Sequence, residues 1–274
     1  MCHLKWVTMG GVIIKLGGAL ITDKDQIHTF RPEALMPLAS ILSGMASEGR
    51  KVTIVHGAGS FGHIEAKQAG LAGGYDPERE TEQTRAVDSV RASMINLNGM
   101  VLDILREHGI DCETHPPREW AKGTGSTFTG DIGRFETPGK VHVTFGDVVD
   151  VDGDMRFGIL SGDHLMERLA LEMEDMDMAV FLLNGIDGLY DKDPKDPGAR
   201  LIGEFDSEAS YTTTLDGDKD VTGGMSLKVD VSKRISSSGP KVVFVNGLDV
   251  ENMRRLFAGE EFTGTVFKRA KSHE

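Results

Sequence analysis

Cysteine is almost missing from this chain: Cys2 and Cys112 are the only two in 274 residues. Two thiols cannot build a disulfide framework or a cysteine zinc site, so a reducing cytoplasm is the expected compartment. Long apolar runs are missing too. The longest, such as 179–183, falls far short of a membrane span, and the start, Met1-Cys-His-Leu-Lys-Trp-Val-Thr-Met9, has no signal-peptide core. No membrane partner is expected. Positive charge is scarce as well, with 30 Lys and Arg against 43 Asp and Glu and a formal charge of -13. That balance excludes general binding to nucleic acid, whose phosphates must be met by excess cations. An anionic small ligand in such a field needs a local cluster of positive charge, so a lysine beside glycines is telling here.

Several catalytic signatures are also absent. There is no Gly-x-x-x-x-Gly-Lys-Ser/Thr loop, no protein-kinase catalytic loop or Asp-Phe-Gly, no Gly-x-Ser-x-Gly and no His-Glu-x-x-His. The acid-rich run Asn184-Gly-Ile-Asp-Gly-Leu-Tyr-Asp-Lys-Asp-Pro-Lys195 lacks the spacing of a twelve-residue calcium loop, so no protein-bound metal is assigned.

What is present is an apolar run that empties into glycines, Lys51-Val-Thr-Ile-Val-His-Gly-Ala-Gly-Ser-Phe-Gly-His63. Glycines after a strand let the backbone approach a ligand, and a following helix aims free N–H groups at an anion. Gly57-x-Gly59-x-x-Gly62 also spells a dinucleotide fingerprint, which requires a second strand ending in an acid about twenty residues on. That region, Gly70-Leu-Ala-Gly-Gly-Tyr-Asp-Pro-Glu-Arg-Glu-Thr-Glu82, reads as a polar loop, so the fingerprint fails. A second strand of the same kind, Val12-Ile-Ile-Lys-Leu-Gly-Gly18, carries Lys15 two residues before its glycines. Two such strands in one parallel sheet face a ligand between them at its carboxyl edge, and the lysine supplies a point charge for phosphate.

Apolar runs alternate with helix-period segments, the pattern of βαβ units and a mostly parallel sheet. Strands are expected over 12–16, 51–55, 141–144, 178–183, 241–246 and 263–267, and helices over 33–47, 81–107, 163–172, 225–237 and 250–258. In the longest helix Val87, Val90, Met94, Leu97, Val101 and Ile104 recur at three- and four-residue steps, a stripe that by itself reads as core. Between 116 and 154 the pattern breaks into Gly- and Thr-rich pieces, including Lys122-Gly-Thr-Gly-Ser-Thr-Phe-Thr-Gly130, which reads as one or two hairpins at the sheet edge. Ser161 and Asp163 open a helix as ordinary N-cap residues, and Asp163 is also placed to orient lysines around a phosphate. Asp220-Val-Thr-Gly-Gly-Met-Ser-Leu-Lys228 sets glycines at another helix start with Lys228 one turn in.

Six motifs in order, Lys15-Leu-Gly-Gly-Ala-Leu-Ile-Thr-Asp-Lys24, His56-Gly-Ala-Gly-Ser-Phe-Gly-His63, Phe145-Gly-Asp147, Ser161-Gly-Asp163, Gly185-Ile-Asp-Gly-Leu-Tyr190 with Asp193-Pro-Lys195, and Asp220-Val-Thr-Gly-Gly224, give the chain from 12 to 267 its likeness. It resembles the amino acid kinase superfamily and, within it, the archaeal-type isopentenyl phosphate kinases, chiefly through the histidine of Gly-Ser-Phe-Gly-His63. The resemblance implies a three-layer αβα sandwich around a mostly parallel sheet, usually dimeric and cytoplasmic. It implies transfer of the γ-phosphoryl group of ATP to isopentenyl phosphate in isoprenoid synthesis, with Mg²⁺. Residues 1–11 then form an extension, and 12–274 one domain with an acceptor lobe over about 12–175 and a nucleotide lobe over about 176–270. Acceptors with another phosphate or phosphonate, as in the related fosfomycin kinases, are the alternative, as is a non-catalytic nucleotide-binding regulator.

Carried over by motif, the resemblance makes Lys15, Lys24, His63, Asp163 and Lys228 catalytic. Lys15 and Lys228 bridge the transferring group, Lys24 steadies its charge, Asp163 orients the lysines and His63 holds the acceptor phosphate. Ala58, Gly59, Gly62, His63 and Gly162 line the acceptor site, with Val87, Val90 and Met94 around its apolar tail. The nucleotide is assigned to Lys15, Gly17, Gly18, Ala19, Gly59, Asn184, Asp187, Tyr190, Lys195, Gly223, Gly224 and Lys228. Ala19 stands where relatives often carry serine, and Asn184 where aspartate is frequent.

Overall fold

The structure is a computed structural model that describes residues 10–23, 25–206, 211 and 224–268. Its main sheet is built from β1 (Gly11–Leu16), β2 (Val52–His56), β3 (Cys112–Thr114), β6 (Val141–Phe145), β9 (Met176–Leu183), β10 (Glu204–Phe205), β11 (Lys241–Asn246) and β12 (Thr265–Phe267), in the order β10-β12-β11-β9-β1-β2-β6-β3. Every pairing is parallel except that of β11 with β12. The central strands are mostly apolar because both faces are covered, and β1 and β2 are buried at every residue, Lys15, Thr53 and His56 included.

Helices α2 (Pro32–Ser47), α4 (Glu80–Glu107) and α7 (Val250–Ala258) cover one face, and α5 (Gly162–Glu172) and α6 (Gly224–Ser238) the other. Val12, Ile14 and Leu16 of β1 enter the first core with Leu35, Leu38 and Leu42 of α2, whereas Ile13 enters the second with Leu165 and Leu169 of α5. This is the alternation that a strand between two helical layers requires. Each of these buried leucines contributes about 1.5 to 3 kcal/mol of transfer free energy. The second layer is also pinned by Arg234 of α6, whose Nη2 donates to Glu167 Oε2 of α5 at 2.9 Å. The architecture is the expected αβα sandwich.

A four-stranded sheet, β5 (Thr129–Gly130), β4 (Ala121–Lys122), β7 (Asp147–Asp150) and β8 (Phe157–Leu160), carries two hairpins where one or two were expected over 116–154, and the second runs on to Leu160. The structure joins them through a parallel β4 to β7 pairing into one small sheet. Several elements differ from expectation for local reasons. The strand read over 51–55 runs to His56, and the one read over 263–267 begins at Thr265. The glycine loops lead into short helices, α1 (Gly18–Ile21) and α3 (His63–Gln68), the latter preceded by a 3₁₀ turn over Gly59–Phe61. Their glycines break the 3.6-residue period from which longer helices are read. β3 and β10, three and two residues long, are too short to show any period. No helix among the described residues is long and apolar enough to cross a membrane.

Candidate functional site

The two glycine-terminated strands are neighbours in register, with Lys15 opposite Val55 and Leu16 opposite His56. Their loops therefore leave the same edge of the sheet side by side. A Cβ on Gly18 would lie 2.3 Å from the backbone N of Gly59, and one on Gly57 would lie 2.6 Å from the backbone N of Gly18. Gly59 has φ +50° and its Cβ would fall 1.9 Å from Thr22 Oγ1, so both space and backbone angle demand glycine there. Gly17 caps α1, and Ala19 is in that single turn. Thr22 Oγ1 ties the loops together by accepting from Ser60 N at 3.0 Å.

Lys15 points across the second face of the sheet to the start of α5. Its ammonium forms an ion pair with Asp163 Oδ1, and Lys228 Nζ stands 3.5 Å from Asp163 Oδ2. Asp163 is 1% exposed and Lys15 5%, so this cation–carboxylate–cation group lies almost wholly out of water. Ser161 accepts from Asp163 N at 3.2 Å, which caps α5 and holds the carboxylate in place. Cap and organiser are one arrangement here. Lys228 also donates to Gly224 O at 3.0 Å, at the first residue of α6, where Gly224 has φ +53°. A Cβ on Gly162 would meet Val55, Lys15 Cε and His56 O at 3.3 to 3.6 Å, so the α5 terminus packs directly on both strands. Gly146, after β6, is as close: its Cβ would be 3.2 Å from Gly162 N.

His63 begins α3 and is half-buried. Gly62, just before it, abuts α4: its Cβ would lie 3.0 Å from Ala58 Cβ, 3.4 Å from Met94 Sδ and 3.5 Å from Val90 Cγ1. Val90 and Met94 thus meet the histidine loop, and Val87 lies buried on the same helix. His56 is the structural member of the motif. Wholly buried, it is pushed down to about 4 by desolvation, and its ring contacts Asn98 Oδ1 at 3.3 Å and Gly57 O at 3.2 Å.

On the other side of β1, Asn184 follows β9 and is exposed. Asp187 is gripped by Asn246 Nδ2 at 3.2 Å and by Tyr190 Oη at 3.4 Å. Burial foremost, with the Asp187 charge beside it, raises the Tyr190 phenol above its ordinary value. Lys195 is exposed further along this loop, its backbone N–H donating to Asp193 Oδ1 at 2.9 Å. Lys24, Gly223 and most of the segment from Asp220 to Gly224 lie outside the described residues.

Sequence reading passed over two contributors and gave no role to Asp147. Asn246 ends β11 beside Leu183 and closes on Asp187. Gly247 follows it, where a Cβ would strike Leu20 of α1 at 2.5 Å. Asp147 was noted only as part of a motif, yet it is 3% exposed, and desolvation raises its carboxyl to about 7. The signal for the first two, a strand ending in Asn-Gly, is too common among turns to single them out.

An αβα sandwich whose sheet edge gathers glycine loops and lysines around one buried carboxylate defines a phosphate-handling α/β protein. The profile of the amino acid kinase family matches residues 11–246, and the chain belongs to that family. It is 35% identical over 259 residues to the isopentenyl phosphate kinase of Thermoplasma acidophilum, covering 94% of this chain and 100% of that one. The isopentenyl phosphate kinase of Methanothermobacter thermautotrophicus is 33% identical, with 93% and 97% covered. A crystal structure of an isopentenyl phosphate kinase superposes with TM-score 0.81 at 28% identity, over 94% of this chain and 99% of that one.

Proposed function

We propose that this protein transfers the γ-phosphoryl group of ATP directly, in line, to isopentenyl phosphate, forming isopentenyl diphosphate. The observation that carries the reading is the buried Lys15–Asp163–Lys228 group beside two apposed glycine loops, one of which leads into His63. Phosphoryl transfer needs positioning and charge neutralisation more than covalent chemistry. In this reading Lys15 and Lys228 meet the oxygens of the moving group, and Asp163 keeps both ammonium groups aimed at it. The N–H groups of Gly17 to Ala19 and of Ala58 and Gly59 cradle phosphates, and Gly162 lets the start of α5 pack against both strands beside them. Lys24, which ends the motif of the first glycine loop, adds charge. The acceptor lobe spans about 12–175, and the nucleotide lobe, with Asn184, Asp187, Tyr190, Lys195, Gly223 and Gly224, about 176–270.

The described residues around Lys15 do not fit a magnesium ion held by protein carboxylates. Asp163 turns its two oxygens to lysines. Mg²⁺ is accordingly assigned to the nucleotide's own phosphates, where it neutralises charge, and no step is routed through a protein-held ion. A homodimer in the cytoplasm completes the proposal.

Acceptor recognition rests on His63. His63→Ala is expected to lose most activity, with the acceptor KM raised, and His63→Gln to recover part of it through a remaining N–H donor. Unchanged kinetics in His63→Ala would remove the residue from the site and the acceptor assignment with it. ADP release measured across isopentenyl phosphate, dimethylallyl phosphate, fosfomycin, UMP and acetylglutamate checks the acceptor itself, and a stronger response to fosfomycin favours the phosphonate reading.

The short apolar tail of the acceptor belongs beside Gly62, over Val90 and Met94 of α4. Side chains that close a pocket limit chain length by steric contact, while a methylene changes discrimination by about 1 to 3 kcal/mol. Val90→Ala and Met94→Ala are therefore expected to raise the relative kcat/KM for geranyl phosphate over isopentenyl phosphate. Equal chain-length ratios in variant and parent, with only thermal stability lowered, would make these positions plain core.

A further inference from the structure

Away from the phosphate edge, the described residues hold one group of three side chains able to ligate a metal: Glu113, His115 and His142. They meet where β3, at the end of the main sheet, pairs with β6. Glu113 and His142 are register partners across that pairing, so their side chains rise from the same face. His115 follows β3, and its backbone N–H donates to Val143 O at 2.8 Å, which folds its ring over the same spot. One donor atom from each residue lies within 4.8 Å of the others. His142 is 0% exposed and His115 4%, and Phe135 packs against both rings.

We propose that Glu113, His115 and His142 bind one transition-metal ion of the zinc class, with water as the fourth ligand, and that the ion clamps the short edge strand β3 onto β6. The geometry carries this in three ways. Tetrahedral zinc with bonds of about 2.0 to 2.1 Å sets its ligand atoms about 3.3 Å apart, and His115 Nε2 already stands 3.0 Å from His142 Nδ1. His142 Nε2 stands 3.2 Å from Thr137 O; that contact places the ring proton on Nε2 and leaves the Nδ1 lone pair aimed into the group, as a ligating imidazole bonded behind by a carbonyl requires. The donor set, two imidazoles and one carboxylate, suits zinc, cobalt or nickel and not the all-oxygen preference of magnesium or calcium.

No proton need be lost. His115 Nε2–H now donates to His142 Nδ1, and metal entry needs only its other neutral tautomer, with the proton on Nδ1. Glu113 offsets one charge of the ion. Arg134 opposes it, while Lys51 is engaged in its own ion pair with Glu136.

The test uses the full chain stripped with chelator, then titrated with Co²⁺ as a spectroscopic probe and with Zn²⁺ in a thermal melt. One equivalent of Co²⁺ should give an intense visible band that Zn²⁺ displaces, and Tm should rise with Zn²⁺ concentration. Glu113→Gln, on the half-exposed edge, and His115→Asn should each abolish the band and the Tm response. Glu113→Gln should also leave ADP release within about twofold of the parent, as expected for a site two strands from Lys15 in the sheet order. Absence of a saturable band, or a band that survives in both variants, overturns the proposal; survival places the metal elsewhere on the chain.

Discussion

Lys15→Ala is expected to lower kcat by at least about a hundredfold while changing the acceptor KM little, because a charge aimed at the transferring group acts mainly as that group moves. Lys228→Ala should behave alike. The two differ in what they do to the fold. Lys15 is buried with Asp163, and removing one partner of a buried ion pair costs about 3 to 5 kcal/mol, since the remaining charge stays out of water. Lys228 is more exposed and stands further from the carboxylate, so Lys228→Ala should unfold in urea near the parent midpoint. Steady-state kinetics beside urea denaturation separate these effects. Near-normal kcat in either folded variant would take that lysine out of the mechanism.

The second large effect comes from removing space. Gly18→Ala places a methyl carbon 2.3 Å from the backbone of Gly59, and Gly59→Ala places one 1.9 Å from Thr22 Oγ1 and 2.7 Å from Gly18 O at a positive φ. Backbone cannot swing aside as a flexible side chain can, so the two loops must separate and carry their N–H groups out of position. A misplacement of about 1 Å in a positioned site costs on the order of a hundredfold in rate. Both variants are therefore expected to lose more than about a hundredfold in kcat/KM and to melt at lower temperature. Gly44→Ala is the control: it lies within α2, where a Cβ meets open space, and alanine favours a helix interior over glycine by about 1 kcal/mol. If Gly18→Ala performs as well as Gly44→Ala, the apposed loops do not form the cradle.

Much of this was readable before any coordinates. The strands at 12–16 and 178–183 and the long helix through Val87 to Ile104 were evident because burial on two faces, or on one stripe, writes itself into local periodicity. The glycines after β1 and β2 were conspicuous because no other residue permits such close backbone approach. The ambiguities arose where one residue serves two purposes. Asp163 reads as a cap from its spacing, but the cap is Ser161, which accepts from the Asp163 backbone N–H and leaves the Asp163 carboxylate for Lys15 and Lys228. Val90 and Met94 read as core and are buried with it, yet Gly62 brings the histidine loop to within contact of both.

By itself the sequence determined the layered α/β class, the glycine-bearing strand ends and the likeness to a kinase family, since each depends on residues within one segment or on their order along the chain. Only the tertiary structure decided the partnerships. Lys15 and Asp163 are 148 residues apart, and Asp187 is held by Asn246 from another strand. Glu113 meets His142 only because β3 and β6 pair in one register. No local pattern encodes which strand lies beside which. The order β9-β1-β2-β6 is chosen by the burial of all faces at once, and that order alone brings the lysines, the carboxylate and the two glycine loops to one edge.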